Sequence, residues 1–356
     1  METSRRDVLK LGAAVAATGL ATTPITAPVK AEADTTQAMP VKVGPVPGDN
    51  RLRLASYAVI GTDAPKLGVV RSDAKVVDVA QAAQRTGEKL GFDPTSMVSL
   101  IEAGPAAIER LRAVTGKAED GIPLGEVTLL PPIPKLSRNI YAVGWNYLEH
   151  FEEGKELRTD PNQKIPEHPV FFTKAVHVLN GPYNAIPFDP AVSTMIDWEC
   201  ELAVIIGKKG KNIAESDAMS HVFGFTVIND TTARDLQQQK HGGQWFKGKS
   251  LDGHGPLGPW IIPASDLDPS NLKLLLRVNG AVKQDASTRQ MYFKIPRLIA
   301  ELSSGLTLEP GDIIATGTPP GIGYARKPQE FLKPGDVMET EIAEIGIMRN
   351  IIQAVA

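Results

Sequence analysis

Residues 197–206 read Asp-Trp-Glu-Cys-Glu-Leu-Ala-Val-Ile-Ile. The apolar run from Leu202 to Ile206 predicts a strand entering a core. Strand side chains alternate between faces, so the same register carries Asp197, Glu199 and Glu201 onto one side. Three carboxylates stacked at that spacing repel one another, and burying them unpaired is costly. A divalent cation removes the conflict. Ligation by oxygen alone suits a hard ion such as Mg²⁺, Mn²⁺ or Ca²⁺ better than zinc or copper. Cys200 alternates with the acids and falls on the opposite, core side, where a buried structural thiol is expected rather than a nucleophile.

The rest of the composition is that of an ordinary globular protein, with 42% hydrophobic and 22% charged residues in a chain of 356. That length allows one large or two modest domains. A formal charge of −3 gives no electrostatic case for a nucleic-acid partner. The amino terminus reads as a targeting segment. Arg5-Arg6 precedes a small-residue apolar stretch from Leu11 to about Pro28, and Ala31-Glu32-Ala33 offers a cleavage site. Residues 1–33 are therefore expected to be a twin-arginine signal peptide, with the export machinery as a partner and a periplasmic or exported destination. Cys200 is the single cysteine, so no intrachain disulfide forms. A disulfide-free, metal-dependent fold suits export in the folded state.

Residues 34–50 read as a linker, 51–130 as a small α+β module and 131–356 as a catalytic domain, with Pro131-Pro132-Ile133-Pro134 as the punctuation between the last two. The first module shows strand patterns at 52–60, 67–70 and 76–79 and helical patterns at 79–86, 97–102 and 106–114. In the second, strands are expected at 139–143, 170–173, 200–206, 222–229, 260–262, 272–278, 312–316 and 337–342. Helices are fewer, near 213–221, 231–239 and 295–304. Many short strands with few helices predict a β-rich α+β fold, a mixed β-roll rather than a βαβ series.

Four further groups carry chemistry. His150 and Glu153 stand three apart, so one helical turn puts them on the same side. A carboxylate beside an imidazole orients it and raises its basicity. Asp230 follows a strand that ends at Asn229; it reads either as an N-cap or as an oxygen ligand, with Arg234 and Gln237 one and two turns on. The planar fork of Arg234 suits a substrate carboxylate. Gly243–Ser250 satisfies the G-x-x-x-x-G-K-S phosphate-loop pattern. It lacks the preceding buried strand and the following long helix, so it is set aside as a nucleotide site; Lys249 remains as a cation for developing oxyanion charge. Finally, Pro310–Gly323 is a strand running into a glycine-rich turn, whose backbone N–H groups and Thr318 hydroxyl are expected to face a ligand.

Taken in order, Gly144-Trp145-Asn146-Tyr147, His150, Glu153, the stripe 197–202, Asn229–Gln237, Gly248–Ser250, Asn279-Gly280 and 311–323 resemble the fumarylacetoacetate hydrolase family, in the manner of its acylpyruvate hydrolases and 2-hydroxyhepta-2,4-diene-1,7-dioate isomerases. The resemblance covers roughly residues 137–353. It implies a mixed β-roll, a homodimer, and a Mg²⁺-like ion held by Glu199, Glu201 and Asp230. It makes His150 and Glu153 the acid–base pair and Lys249 a charge stabiliser, and places Arg234, Gln237 and Thr318 on the substrate side. Trp145 and the segments 151–168 and 238–244 depart from the common pattern and bear on substrate identity. The expected activity is metal-dependent hydrolysis of a carbon–carbon bond in a β-diketo or acylpyruvate-like oxo acid. Isomerisation, decarboxylation or a lyase step at the same site is the alternative among enzymes, and an exported solute-binding module is the alternative of another class.

Overall fold

A computed structural model describes residues 43–62, 64–157 and 162–355. The expected signal peptide 1–33 and residues 34–42 of the linker lie outside the described residues, as do residues 158–161 of the charged segment. Among the described residues no helix is long and apolar enough to cross a membrane.

The fold is α+β and rich in strand. Its main sheet has twelve strands. Cys200–Ile206 lies at its heart, buried along its whole length. It pairs antiparallel with Val222–Asn229 on one side, Cys200 opposite Asn229, and with Ile313–Ala315 on the other, Ala203 opposite Ala315. Ile140–Gly144 runs parallel to Ile313–Ala315 and antiparallel to Val170–Lys174. Gly255–Pro263 flanks Val222–Asn229. The apolar runs explain this order: Val204, Ile205 and Ile206 are at most 1% exposed, and burying each such side chain contributes roughly 1.5–3 kcal/mol.

The sheet continues past the proline punctuation. Leu54–Val59 pairs with Gly255–Pro263 through Leu54 and Ile261 and is followed edgeward by Lys66–Val70 and Lys75–Asp78. The helices beside these strands form where the sequence supplies caps. Asp78 accepts from the Gln81 N–H at the start of Val79–Thr86, Ser96 caps Met97–Ala103, and a proline opens Pro105–Thr115.

A second sheet runs Ala281–Ser287, Lys273–Val278, Val337–Ile342, Gly346–Ala354, Ile186–Phe188. The Cys200 N–H donates to Gln284 Oε1 (2.9 Å) and Asn229 Nδ2 to Thr340 Oγ1 (3.0 Å), so the second sheet is fastened at the end of the first where the acidic residues lie.

Two expectations need correction. The helix expected at 213–221 is a 3₁₀ segment, Glu215–His221. The helix expected at 231–239 is only Arg234–Gln238, because Thr232–Ala233 is drawn into a two-stranded ladder with Ile196–Asp197. Ladder pairing satisfies those backbone groups before a helix can take them.

Candidate active site

The acidic stripe is not one continuous strand. Ile196–Asp197 pairs with Thr232–Ala233, the regular strand resumes at Cys200, and Trp198 and Glu199 form the step between. This step separates the fates of the acids. Asp197 turns to Arg234 Nε (2.8 Å) and accepts from the N–H groups of Trp198, Gly323 and Tyr324. Glu199 and Glu201 instead meet Asp230. One oxygen from each of the three lies within 4.8 Å of the others, and all three residues are buried. Asp230 is not a helix cap: the following helix is preceded by Ala233, and the Asp230 N–H donates to the Glu199 carbonyl (2.9 Å).

Cations surround this trio unevenly. Lys249 Nζ bridges Glu199 Oε2 (2.6 Å) and Asp230 Oδ2 (2.7 Å). Arg234 Nη2 stands 2.7 Å from Glu199 Oε1. Lys174, fully buried, stands 2.7 Å from Asp230 Oδ1. Burial works to raise Glu199, but Lys249 and Arg234 outweigh it and hold the carboxyl at about 2. Burial also opposes the charge on Lys249, and Asp230 and Glu199 outweigh it. Glu201 differs. Its carboxylate accepts the Gly317 N–H (2.8 Å), and among the described residues it has no ion-pair partner. Burial, then Asp230 and Glu199, push it well above the usual carboxylate range. Three buried oxygen donors, one of them uncompensated by the chain, fit a hard divalent ion.

The base expected from spacing is assembled. Helix Leu148–Glu153 brings His150 Nδ1 to 2.7 Å from Glu153 Oε1. That contact puts the proton on Nδ1 and leaves Nε2 as the basic nitrogen. Glu153 is held in turn by the Gly321 N–H on its other oxygen (2.8 Å).

The glycine-rich turn works differently from expectation. Its N–H groups go to protein carboxylates rather than to a ligand: Gly317 to Glu201, Gly321 to Glu153, Gly323 to Asp197. Gly321 has φ +107°, and a Cβ there would stand 2.1 Å from the Lys283 carbonyl, so only glycine serves. The Thr318 hydroxyl donates to the Cys200 carbonyl (3.1 Å) and accepts from Gln284 (2.8 Å) while its side chain lines the cleft. Gln237 Oε1 accepts from Arg234 Nη1 (3.0 Å) and Gln238 Nε2 (3.1 Å), which leaves its own amide N–H groups for a ligand.

His150, Glu199, Glu201, Arg234, Gln237 and Lys249 thus line one cleft, with Thr318 beside them. Glu153 stands behind His150. Cys200 is fully buried in the core, its thiol pushed up by burial and then by Glu201. The phosphate-loop match has neither strand before it nor long helix after it; Phe246–Lys249 is a single turn. Gly248 lies against the Gln237 N–H and the Ala233 carbonyl, and that close approach delivers Lys249 to the acidic centre. Sequence reasoning missed Lys174, although a lysine closing the run Val170-Phe171-Phe172-Thr173 was its one signal. It also missed Gln284, a polar residue on a strand with no apolar pattern, and Asp197 as the anchor of Arg234.

Residues 139–353 match the family model described as fumarylacetoacetate (FAA) hydrolase, C-terminal. The chain is 41% identical over 296 residues to the oxaloacetate tautomerase YisK of Bacillus subtilis, covering 80% of this chain and 95% of that protein. It resembles the solved fumarylacetoacetate hydrolase of the psychrophile Exiguobacterium antarcticum at a TM-score of 0.70 and 34% identity, over 85% of this chain and all of that one. A maleylpyruvate hydrolase from Sphingobium sp. SYK-6, solved with manganese(II) and pyruvate, aligns at a TM-score of 0.67 and 31% identity, again over 85% of this chain and all of that one.

Proposed function

Because this chain belongs to the fumarylacetoacetate hydrolase family, we propose that it is a metal-dependent tautomerase of a small 2-oxo dicarboxylic acid of the oxaloacetate type. The observation that carries the reading is a base held beside a three-carboxylate centre in one cleft, in a chain that aligns with nearly the whole of an oxaloacetate tautomerase. Glu199, Glu201 and Asp230 would hold a divalent ion, which supplies Lewis-acid polarisation of the neighbouring substrate oxygens. His150 Nε2 removes a proton from the carbon beside the 2-oxo group and returns it at the other site of the enol system. Glu153 keeps the ring oriented while it is charged. Lys249 stabilises the oxygen that gains charge. Gln237 and Arg234 bind a carboxylate oxygen.

The second reading is hydrolysis of a carbon–carbon bond in an acylpyruvate-like acid, with His150 activating water instead. The likeness to maleylpyruvate hydrolase favours it. A binding-only role leaves the His150–Glu153 pair without work. The deciding assay follows the ultraviolet absorbance of enol-oxaloacetate, and separately of acylpyruvates, with Mg²⁺ or Mn²⁺ and with chelator. Metal-dependent loss of the enol without acylpyruvate cleavage is expected. Cleavage with no effect on the enol replaces the first reading by the second. We further infer that the protein is exported by the twin-arginine route and acts as a homodimer, which fractionation and light scattering test.

A further inference from the structure

The segment set aside as a phosphate loop carries a second residue into the cleft besides Lys249. Trp245 packs edge-on against Trp145 (centroids 5.0 Å apart, 81°) and against Phe172 (5.4 Å, 73°). Trp145 in turn meets Phe151 at 5.8 Å and 81°. These four rings come from three pieces of chain, Trp145 and Phe151 sharing one, and all line the cleft. Edge-to-face contacts of this kind add about 0.5–1.5 kcal/mol each beyond burial, so the wall holds its shape.

The wall starts at the chemistry. Phe172 lies under Lys249 Nζ, 5.1 Å from ring centroid to nitrogen, and that nitrogen holds Glu199 and Asp230. Two backbone features accompany this wall. Gly144 is where the Trp245 ring seats: a Cβ there would stand 2.2 Å from Trp245 Cζ3 and 2.7 Å from Cη2. Trp145 has φ +55°, the left-handed region that a bulky residue rarely enters. Such outliers cluster at functional sites, where surrounding structure holds them.

We propose that Trp145 and Trp245 are a size gate, setting how long a chain the site accepts beyond the 2-oxo-acid head. This rests on the reading of the cleft as a 2-oxo-acid site and names the substrate class more narrowly: short 2-oxo acids enter, and longer acyl tails meet the indole pair. Gly144 is a positioning residue, because its missing side chain is what lets Trp245 close the wall.

The test is calorimetric titration of the full Mn²⁺-loaded protein with pyruvate, 2-oxobutyrate and 2-oxohexanoate, with oxaloacetate turnover measured on the same preparations. Apolar pockets discriminate roughly 10- to 200-fold per methylene. Wild type is therefore expected to bind 2-oxohexanoate at least about tenfold more weakly than 2-oxobutyrate, and Trp245→Ala to bring the two within about threefold. Gly144→Ala, which keeps the indole but denies its seat, should move the ratio the same way. Trp245→Phe should fall between, and it serves if the alanine variant does not fold. An unchanged ratio in Trp245→Ala or Trp245→Phe overturns the gate even if oxaloacetate is turned over. A ratio that collapses as expected without oxaloacetate turnover upholds the gate and removes the tautomerase reading. No binding of any member by wild type sinks both.

Discussion

Replacing Glu201 by Gln separates the cost of the metal centre from its use. In the metal-free protein Glu201 is buried with Glu199 and Asp230 nearby and no ion-pair partner of its own among the described residues. At an effective dielectric of about 20 and the 4.8 Å limit between the ligand oxygens, each like-charge neighbour costs roughly 3.5 kcal/mol before Lys249 offsets part of it. Taking up a proton sets a ceiling of similar size. Holding one at pH 7 on a group whose ordinary value is 4.5 costs about 3.4 kcal/mol. The substituted glutamine keeps the shape and an acceptor for the Gly317 N–H but carries no charge. Metal-free Glu201→Gln should therefore be more stable than wild type at pH 7 by up to about 3 kcal/mol, or roughly 5 °C in Tm for a chain of this size. The sign with pH follows from the raised folded value. The penalty is absent below the ordinary carboxylate range and grows as pH rises above it, so the gain should vanish near pH 4.5. Scanning calorimetry with chelator and with Mn²⁺ reads both halves: wild type gains stability from Mn²⁺ and the variant does not. A metal-free variant that melts no higher than wild type at pH 7, or one that Mn²⁺ stabilises as strongly as wild type, refutes the reasoning.

Other outcomes follow from the same geometry. His150→Ala should lower kcat about 10²- to 10⁴-fold while calorimetric Mn²⁺ affinity stays near wild type, with Glu153→Gln milder; full turnover without His150 removes the base from the mechanism. Burial pushes the His254 imidazole down to about 4, with its ring donating to the Pro187 carbonyl. A folded value below the unfolded one means its contribution is present above pH 6.5 and lost as pH falls toward 4, by up to about 3 kcal/mol. The Tm difference between wild type and His254→Gln should shrink over that window, and a difference flat with pH contradicts it. Changing Arg5 and Arg6 together to Lys should trap the precursor inside the cell, whereas normal appearance of that variant in the exported fraction discounts the signal.

Local pattern settled much of this protein. The apolar run after the acidic stripe specified Cys200–Ile206, and the runs at 222–229 and 337–342 matched their strands end to end, because a continuous or alternating apolar pattern has few other ways to bury itself. The three-residue spacing of His150 and Glu153 allowed their contact, since a helical turn puts them on one side, and the resemblance rather than the spacing alone singled them out. What pattern could not supply was partnership between residues distant along the chain. Alternation put Asp197, Glu199 and Glu201 on one side, but only the ladder between Ile196–Asp197 and Thr232–Ala233 broke the strand and gave Asp197 to Arg234. Only folding brought Lys174 from a separate strand to Asp230, turned the N–H groups of the glycine turn toward Glu153, Asp197 and Glu201, and stood Trp245 on Gly144. A segment's own residues decide which groups it offers. Which of them meet is decided by the competition of every buried donor, acceptor and charge for a partner, and that competition is resolved only in the packed chain.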